Sequence, residues 1–119
     1  MKEGDIVLTP IPQADGRVKN RPALILRKMP PYGNFLICGI STQLHQAVPD
    51  FDELITAEHD DFPHSGLLAD SIMRLGFLAV VTSKSIVGGI GSIPGKRHER
   101  LLVRLSAYLV KEVSKLRKS

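Results

Sequence analysis

The chain is short of the residues that commit a protein to special chemistry. It has one cysteine, Cys38, set in an apolar run, so no internal disulfide can form and a reducing cytoplasm is the expected compartment. It has no tryptophan and 5% aromatic residues, which argues against extensive base stacking. No apolar stretch approaches the ~18 residues a membrane span needs, and the N-terminus has no signal-peptide core, so no membrane partner is expected. Repeats, linkers and low-complexity tracts are absent. Residues 29–73 hold no Lys or Arg, against seven Asp or Glu.

What is present suits one folded domain over 1–119. Hydrophobic content of 43% and charged content of 24% are ordinary for a globular protein. A chain of 119 residues can bury roughly two-thirds of the surface it exposes unfolded. The net charge of +4 comes from the two ends: residues 1–28 carry six cations and three acids, residues 74–119 ten cations and two acids. A basic surface made from both ends could track a phosphate backbone. Solvated faces that are merely basic would give the same count.

Gly4–Thr9 predicts a first strand, stopped by Pro10 and Pro12 and followed by a polar loop over Gln13–Asn20 with an Asp15-Gly16 turn. Pro22–Arg27 predicts a second strand and Phe35–Ile40 a third, joined through the turn Pro30–Asn34. Two nearly continuous apolar strands in succession imply a sheet covered on both faces or a small closed barrel. Asp52–Thr56 reads as a short strand and Asp60–Gly66 as a loop. Ser71–Arg74 and Phe77–Val81 read as strand interrupted at Gly76, Thr82–Val87 as one helical turn, and Ile90–Ile93 as a last strand.

From about Lys96 the period changes. Leu101, Leu105, Tyr108, Leu109 and Leu116, widened by Leu102 and Val113, mark one helix face. Arg100, Arg104, Lys111 and Lys115 take the other, and the last cations suit the negative end of the helix dipole. Short strands with no βαβ rhythm and one long C-terminal helix make a mainly β (α+β) domain or small barrel.

The sharpest local feature is Arg21-Pro22-Ala23-Leu24-Ile25-Leu26. Proline restricts the residue before it, which would hold Arg21 at the mouth of a strand as a guanidinium suited to phosphate or carboxylate. A surface arginine flanking a strand has the same local sequence. If strands two and three pair as a hairpin, the start of one lies beside the end of the other, which brings Ser41 to Arg21. His59, Asp60, Asp61 and His64 could be read as metal ligands, but no Cys/His pair spacing supports a structural zinc, and no metal is expected.

In this order the pieces resemble the MazF/PemK family of type II toxin-antitoxin toxins, the plasmid maintenance toxins. The resemblance is carried by Gly4-Asp5-Ile6-Val7, Arg21–Leu26, Ile40-Ser41-Thr42-Gln43, Asp70-Ser71-Ile72, Val81–Ile86 and Ile90–Ile93. It implies an SH3-like small barrel of the CcdB/MazF type with a C-terminal helix, commonly a homodimer. It also implies a metal-independent, cofactor-free endoribonuclease that cleaves single-stranded mRNA, stops translation and growth, and is neutralised by a cognate antitoxin. The products would carry a 2′,3′-cyclic phosphate and a 5′-hydroxyl.

By motif the catalytic arginine falls on Arg21 and the catalytic hydroxyl on Ser41, with Thr42 in its place if the register slips by one. Arg17 and Lys19 would hold the RNA backbone, with Gln43 and His45 beside it. His45 has the ordinary pKa of a base, yet the motif does not require it. Related toxins often carry polar and basic groups where this chain has Gly76-Phe77-Leu78-Ala79, so an RNA or dimer contact is expected to be replaced there by an apolar surface. Leu78–Val81 and the C-terminal helix are the candidate dimer surfaces. Two other readings keep the fold: a CcdB-like toxin that binds a protein such as DNA gyrase, and a nucleic-acid-binding regulatory module without the chemistry.

Overall fold

A computed structural model describes residues 1–111. Six strands, β1 (Asp5–Pro12), β2 (Val18–Met29), β3 (Asn34–Ser41), β4 (Glu53–Ile55), β5 (Ser71–Val81) and β6 (Gly88–Ser92), form one antiparallel sheet in the order β4-β5-β3-β2-β1-β6. The sheet curls into a half-barrel, and register shifts in the β1–β6, β2–β3 and β3–β5 pairs supply the bends. A one-turn helix, α1 (Phe62–Ser65), docks on β6, where Gly91 admits the Ser65 backbone so closely that a Cβ would sit 2.2 Å from its carbonyl carbon. The long helix α2 (Gly95–Val110) closes the larger core. Among the described residues no helix is long and apolar enough to cross a membrane.

Alternation along β2 explains its continuous apolar run. Leu24 and Leu26 enter the core that also holds Ile6, Cys38, Ile40, Met73 and, from α2, Leu101 and Leu105. Ala23 and Ile25 enter a second core with Val7, Phe35, Ile37 and Ile86. Both faces of the sheet centre are covered, as the two apolar strands implied.

Several sequence expectations change. Pro10 and Pro12 do not end β1 but lie within it, paired with Asn20 and Val18. β6 accompanies β1 only from Asp5 to Leu8, so the prolines occupy a stretch with a free edge, where a missing N–H is tolerated. The polar loop therefore shrinks to Gln13–Arg17, and Arg21, expected just ahead of the strand, is the fourth residue of β2. β5 runs unbroken through Gly76, and the loop at Asp60–Gly66 contains α1.

The helix reading holds for its first half. Leu101 and Leu105 are buried, whereas Tyr108 and Leu109 are 59% and 65% exposed as α2 runs past the sheet. Tyr108 instead meets Phe51, ring centroids 4.9 Å apart. Val113, Lys115 and Leu116 lie outside the described residues. Lys111 follows the helix as its C-terminal cap residue.

The arginines of α2 are not a solvated face. Arg97 is buried and donates from Nη1 to Glu53 Oε1 and the Leu54 carbonyl at 2.8 Å each. Its Nε and Nη2 donate to the Asp61 carboxylate at 2.6 and 3.0 Å. Arg100 forks onto Glu53 as well, its Nε at 2.9 Å from Oε2, and Arg104 reaches the Asp52 carbonyl at 3.1 Å. Glu53 and Asp61 of the acidic middle are thus neutralised internally by the basic C-terminal part. A surface built from both basic ends does not form at these three residues.

Removing one member of a buried ion network leaves the others uncompensated, which typically costs about 3–5 kcal/mol. Arg97→Ala should lower stability by about 3 kcal/mol or more in urea unfolding, with fold retained in the folded baseline. Hydrogen bonds from Arg97 hold the Asp61 carboxyl below its ordinary 3.8. A depressed folded-state value gives stability that is complete above the unfolded value and lost as pH falls through the folded one. The urea midpoint should therefore drop on acidification below about pH 4, and Asp61→Asn should flatten that part of the profile.

Candidate active site

Register builds the site. Ala23 pairs with Gly39 at the end of the β2–β3 ladder, and Arg21 and Ser41 each stand two residues beyond that last pair, at the same edge of the sheet. Both share the face of Ala23, Ile25 and Ile37, because side chains alternate with period two. Beyond the end of that core the face opens into a groove of about 740 Å³, and Arg21, Ser41, Thr42 and Gln43 line it.

Arg21 is solvent-exposed and stiffened from two sides. Pro22 follows it in sequence, and its Nη2 donates to Gln13 Oε1 over a long 3.4 Å. Gln13 is itself fixed to β1, its Nε2 donating to the Ile11 carbonyl at 2.8 Å. Ser41 is half-buried, and its Oγ accepts the Gln43 N–H at 3.1 Å. A hydroxyl that accepts there still has its own proton to give into the groove. By alternation from Gly39, Ser41 and not Thr42 shares the face of Arg21, while Thr42 forms the bend just after β3.

The other sequence candidates are less gathered. His45 is exposed on the 3-10 turn Leu44–Gln46 and does not line the groove. Arg17 is exposed and lies 3.9 Å from the Asp15 carboxylate at the loop tip, also off the groove. Lys19 is exposed on β2, two residues from Arg21 on the same face, without lining the groove. His59 and Asp61, weighed as metal ligands, face Arg97 instead. Among the described residues no group of three or more His, Cys, Asp or Glu could hold a metal ion. Burial pushes the Cys38 thiol up to about 12, which makes it an inert core residue.

Three groove residues were not found by sequence reasoning. Gln13 carries no local signal. Arg74 pairs with Gly39 from β5, which sets it on the face of Arg21 and Ser41. It is half-buried, and among the described ion pairs none involves it. A lone cation between the buried Met73 and Leu75 was the available clue.

Phe77 is the third, and its ring lies against the Gly39 backbone. A Cβ on Gly39 would come within 3.0 Å of Phe77 Cδ1, so any larger residue would make the ring give by a few tenths of an ångström. The described lining includes two arginines and no Asp or Glu, so nothing in it competes for an anion.

A guanidinium and a hydroxyl facing one cleft can bind and polarise a phosphodiester. No curated protein matches the chain by sequence. Among solved structures, the Mycobacterium tuberculosis toxin MazF-mt6 is similar in fold, with a TM-score of 0.63 at 18% identity over 88% of this chain and 95% of that one. The family model described as PemK-like, MazF-like toxin of type II toxin-antitoxin system matches residues 2–109. With nearly its whole length matched, the chain belongs to this family of MazF/PemK toxins.

Proposed function

We propose that this toxin is an endoribonuclease that cleaves single-stranded mRNA in the cytoplasm without a metal. A ribose 2′-hydroxyl gives up its proton to water and attacks the adjacent phosphorus, the bond to the 5′-oxygen breaks as that oxygen takes up a proton, and the products are a 2′,3′-cyclic phosphate and a 5′-hydroxyl. Negative charge grows on the phosphoryl oxygens as this happens, and fixed donors aimed there lower the barrier. Arg21 supplies a charged fork to those oxygens and can hand a proton to the departing 5′-oxygen. Ser41 supplies a neutral O–H to the same phosphate. The reading is supported by one observation: Arg21 and Ser41, each two residues past the last β2–β3 pair, line one groove whose described lining has no carboxylate.

Membership of a type II system implies a cognate antitoxin as partner. We further propose a homodimer, supported by apolar side chains left exposed on β5 (Leu78, Val80) and on the outer side of α2 (Val103, Val110). Light scattering on the purified chain checks this, and a monomer at micromolar concentration removes it.

The chemistry is tested with defined single-stranded RNA in the presence of EDTA. Cleavage with cyclic-phosphate ends is expected. Arg21→Ala and Ser41→Ala should each slow it by about 10²-fold or more, with unchanged circular dichroism. Full activity in both folded variants would remove the assignment. Growth arrest with RNA left intact would favour a protein target of the gyrase type.

A further inference from the structure

The β5 strand departs from its pairing with β3 between Arg74 and Leu78, so Leu75, Gly76 and Phe77 form a bulge with no partner on β3. Bulges commonly re-aim side chains beside functional sites. This one is held in place from outside the sheet. Asp52 accepts the Leu75 N–H at Oδ1 (3.0 Å) and the Val48 N–H at Oδ2 (2.9 Å), which ties the bulge to the segment after β3. Leu75 on one side of Gly76 is buried in the larger core, and Phe77 on the other is turned onto the groove face over Gly39. The apolar Gly76–Ala79 stretch therefore does not only cover a partner surface, since its aromatic ring lines the groove.

Resting on the ribonuclease reading above, we infer that the β5 bulge forms a nucleobase subsite beside the Arg21–Ser41 pair. Phe77 offers the ring on which one base of the RNA stacks, and Arg74 reads the edge of that base, with guanine preferred.

Position and chemistry both point this way. Gly39, under the Phe77 ring and paired with Arg74, is two residues from Ser41 on the same face. That is roughly 7 Å along the strand, close enough for the base of a nucleotide whose phosphate lies at Arg21. A groove of about 740 Å³ falls in the size range of sites that enclose small organic ligands. Every base has a π-face, so stacking supplies affinity without choosing among them. Choice requires polar groups, and a guanidinium fork matches the paired O6 and N7 acceptors of guanine. Adenine offers an amino donor in place of O6, which faces the fork unfavourably, and pyrimidines offer at most one acceptor on the corresponding edge. The scarcity of aromatics in the chain is consistent with a single stacked base rather than a platform for several.

Arg74 on a phosphate is the competing arrangement, and Arg74→Lys separates the two, because lysine keeps the charge but loses the planar fork. The cut positions of the full chain are mapped on a random-sequence RNA pool by sequencing 5′-hydroxyl ends. Affinity is measured by anisotropy with a labelled oligonucleotide carrying 2′-deoxyribose at the mapped linkage. The wild type should show guanine enriched at one position next to the cut. Arg74→Lys should reduce that enrichment about tenfold, measured as a ratio among cut sites so that a general change in cleavage rate does not imitate it. Phe77→Ala should weaken oligonucleotide binding about 5- to 100-fold, and so should Phe77→Leu, which keeps apolar bulk without the ring.

Guanine enrichment and affinity unchanged in these folded variants, with wild-type cleavage intact, would overturn the subsite and leave the ribonuclease assignment standing. Preserved base preference in Arg74→Lys with only a changed salt slope would move Arg74 to a phosphate and overturn the reading role. A wild type that neither cuts nor binds RNA would take both proposals down together.

Discussion

The register of β2 against β3 is the constraint on which the site depends. Because side chains alternate with period two, a slip by one residue would turn Arg21 and Ser41 into the larger core and send Leu24, Leu26, Cys38 and Ile40 to the groove face. Four apolar side chains on β2 prevent this, two directed to each side of the sheet. Each fully buried aliphatic side chain is worth about 1.5–3 kcal/mol, so the cores hold the alignment far more strongly than any groove contact does. The chemistry is placed by packing that it does not touch.

Electrostatics then separates the two halves of the molecule. The acids of the chain middle and the arginines of α2 meet outside the groove lining, where Glu53 and Asp61 take up Arg97 and Arg100. Had those acids been drawn to the groove, Arg21 and Arg74 would be paired and the cleft would repel phosphate. Net charge alone would not reveal this partition. A value of +4 is compatible with a uniformly basic surface, whereas the described groove lining has two cations and no acid.

Much of the fold was legible because its signals are local. Apolar runs bounded by Pro and Gly marked β2 and β3, and antiparallel pairing of neighbours implied that Arg21 and Ser41 share one edge of the sheet, where both line the groove. What was illegible depends on partners far away in sequence. The prolines of β1 read as strand breakers, since nothing nearby says that β6 ends at Leu8. Arg100 and Arg104 read as solvated, since Glu53 is about fifty residues away. Arg74 and Phe77 were passed over because a bulge, fixed by Asp52, decides which way they point.

The contrast between two arginines shows how one side chain can serve structure in one place and suit binding in another. Arg97 has all five guanidinium donors engaged, by Glu53, the Leu54 carbonyl, both Asp61 oxygens and, at 3.4 Å, His59. No donor remains for a ligand, and its burial makes any rearrangement costly. Arg21 has one long contact to an uncharged amide and no carboxylate among the described ion pairs. Its fork is restrained by Pro22 and Gln13 without being neutralised, so binding an anion there breaks no ion pair. A guanidinium in that state is free to take a phosphate, which is why the proposed chemistry is assigned to the groove and not to the arginine-rich helix.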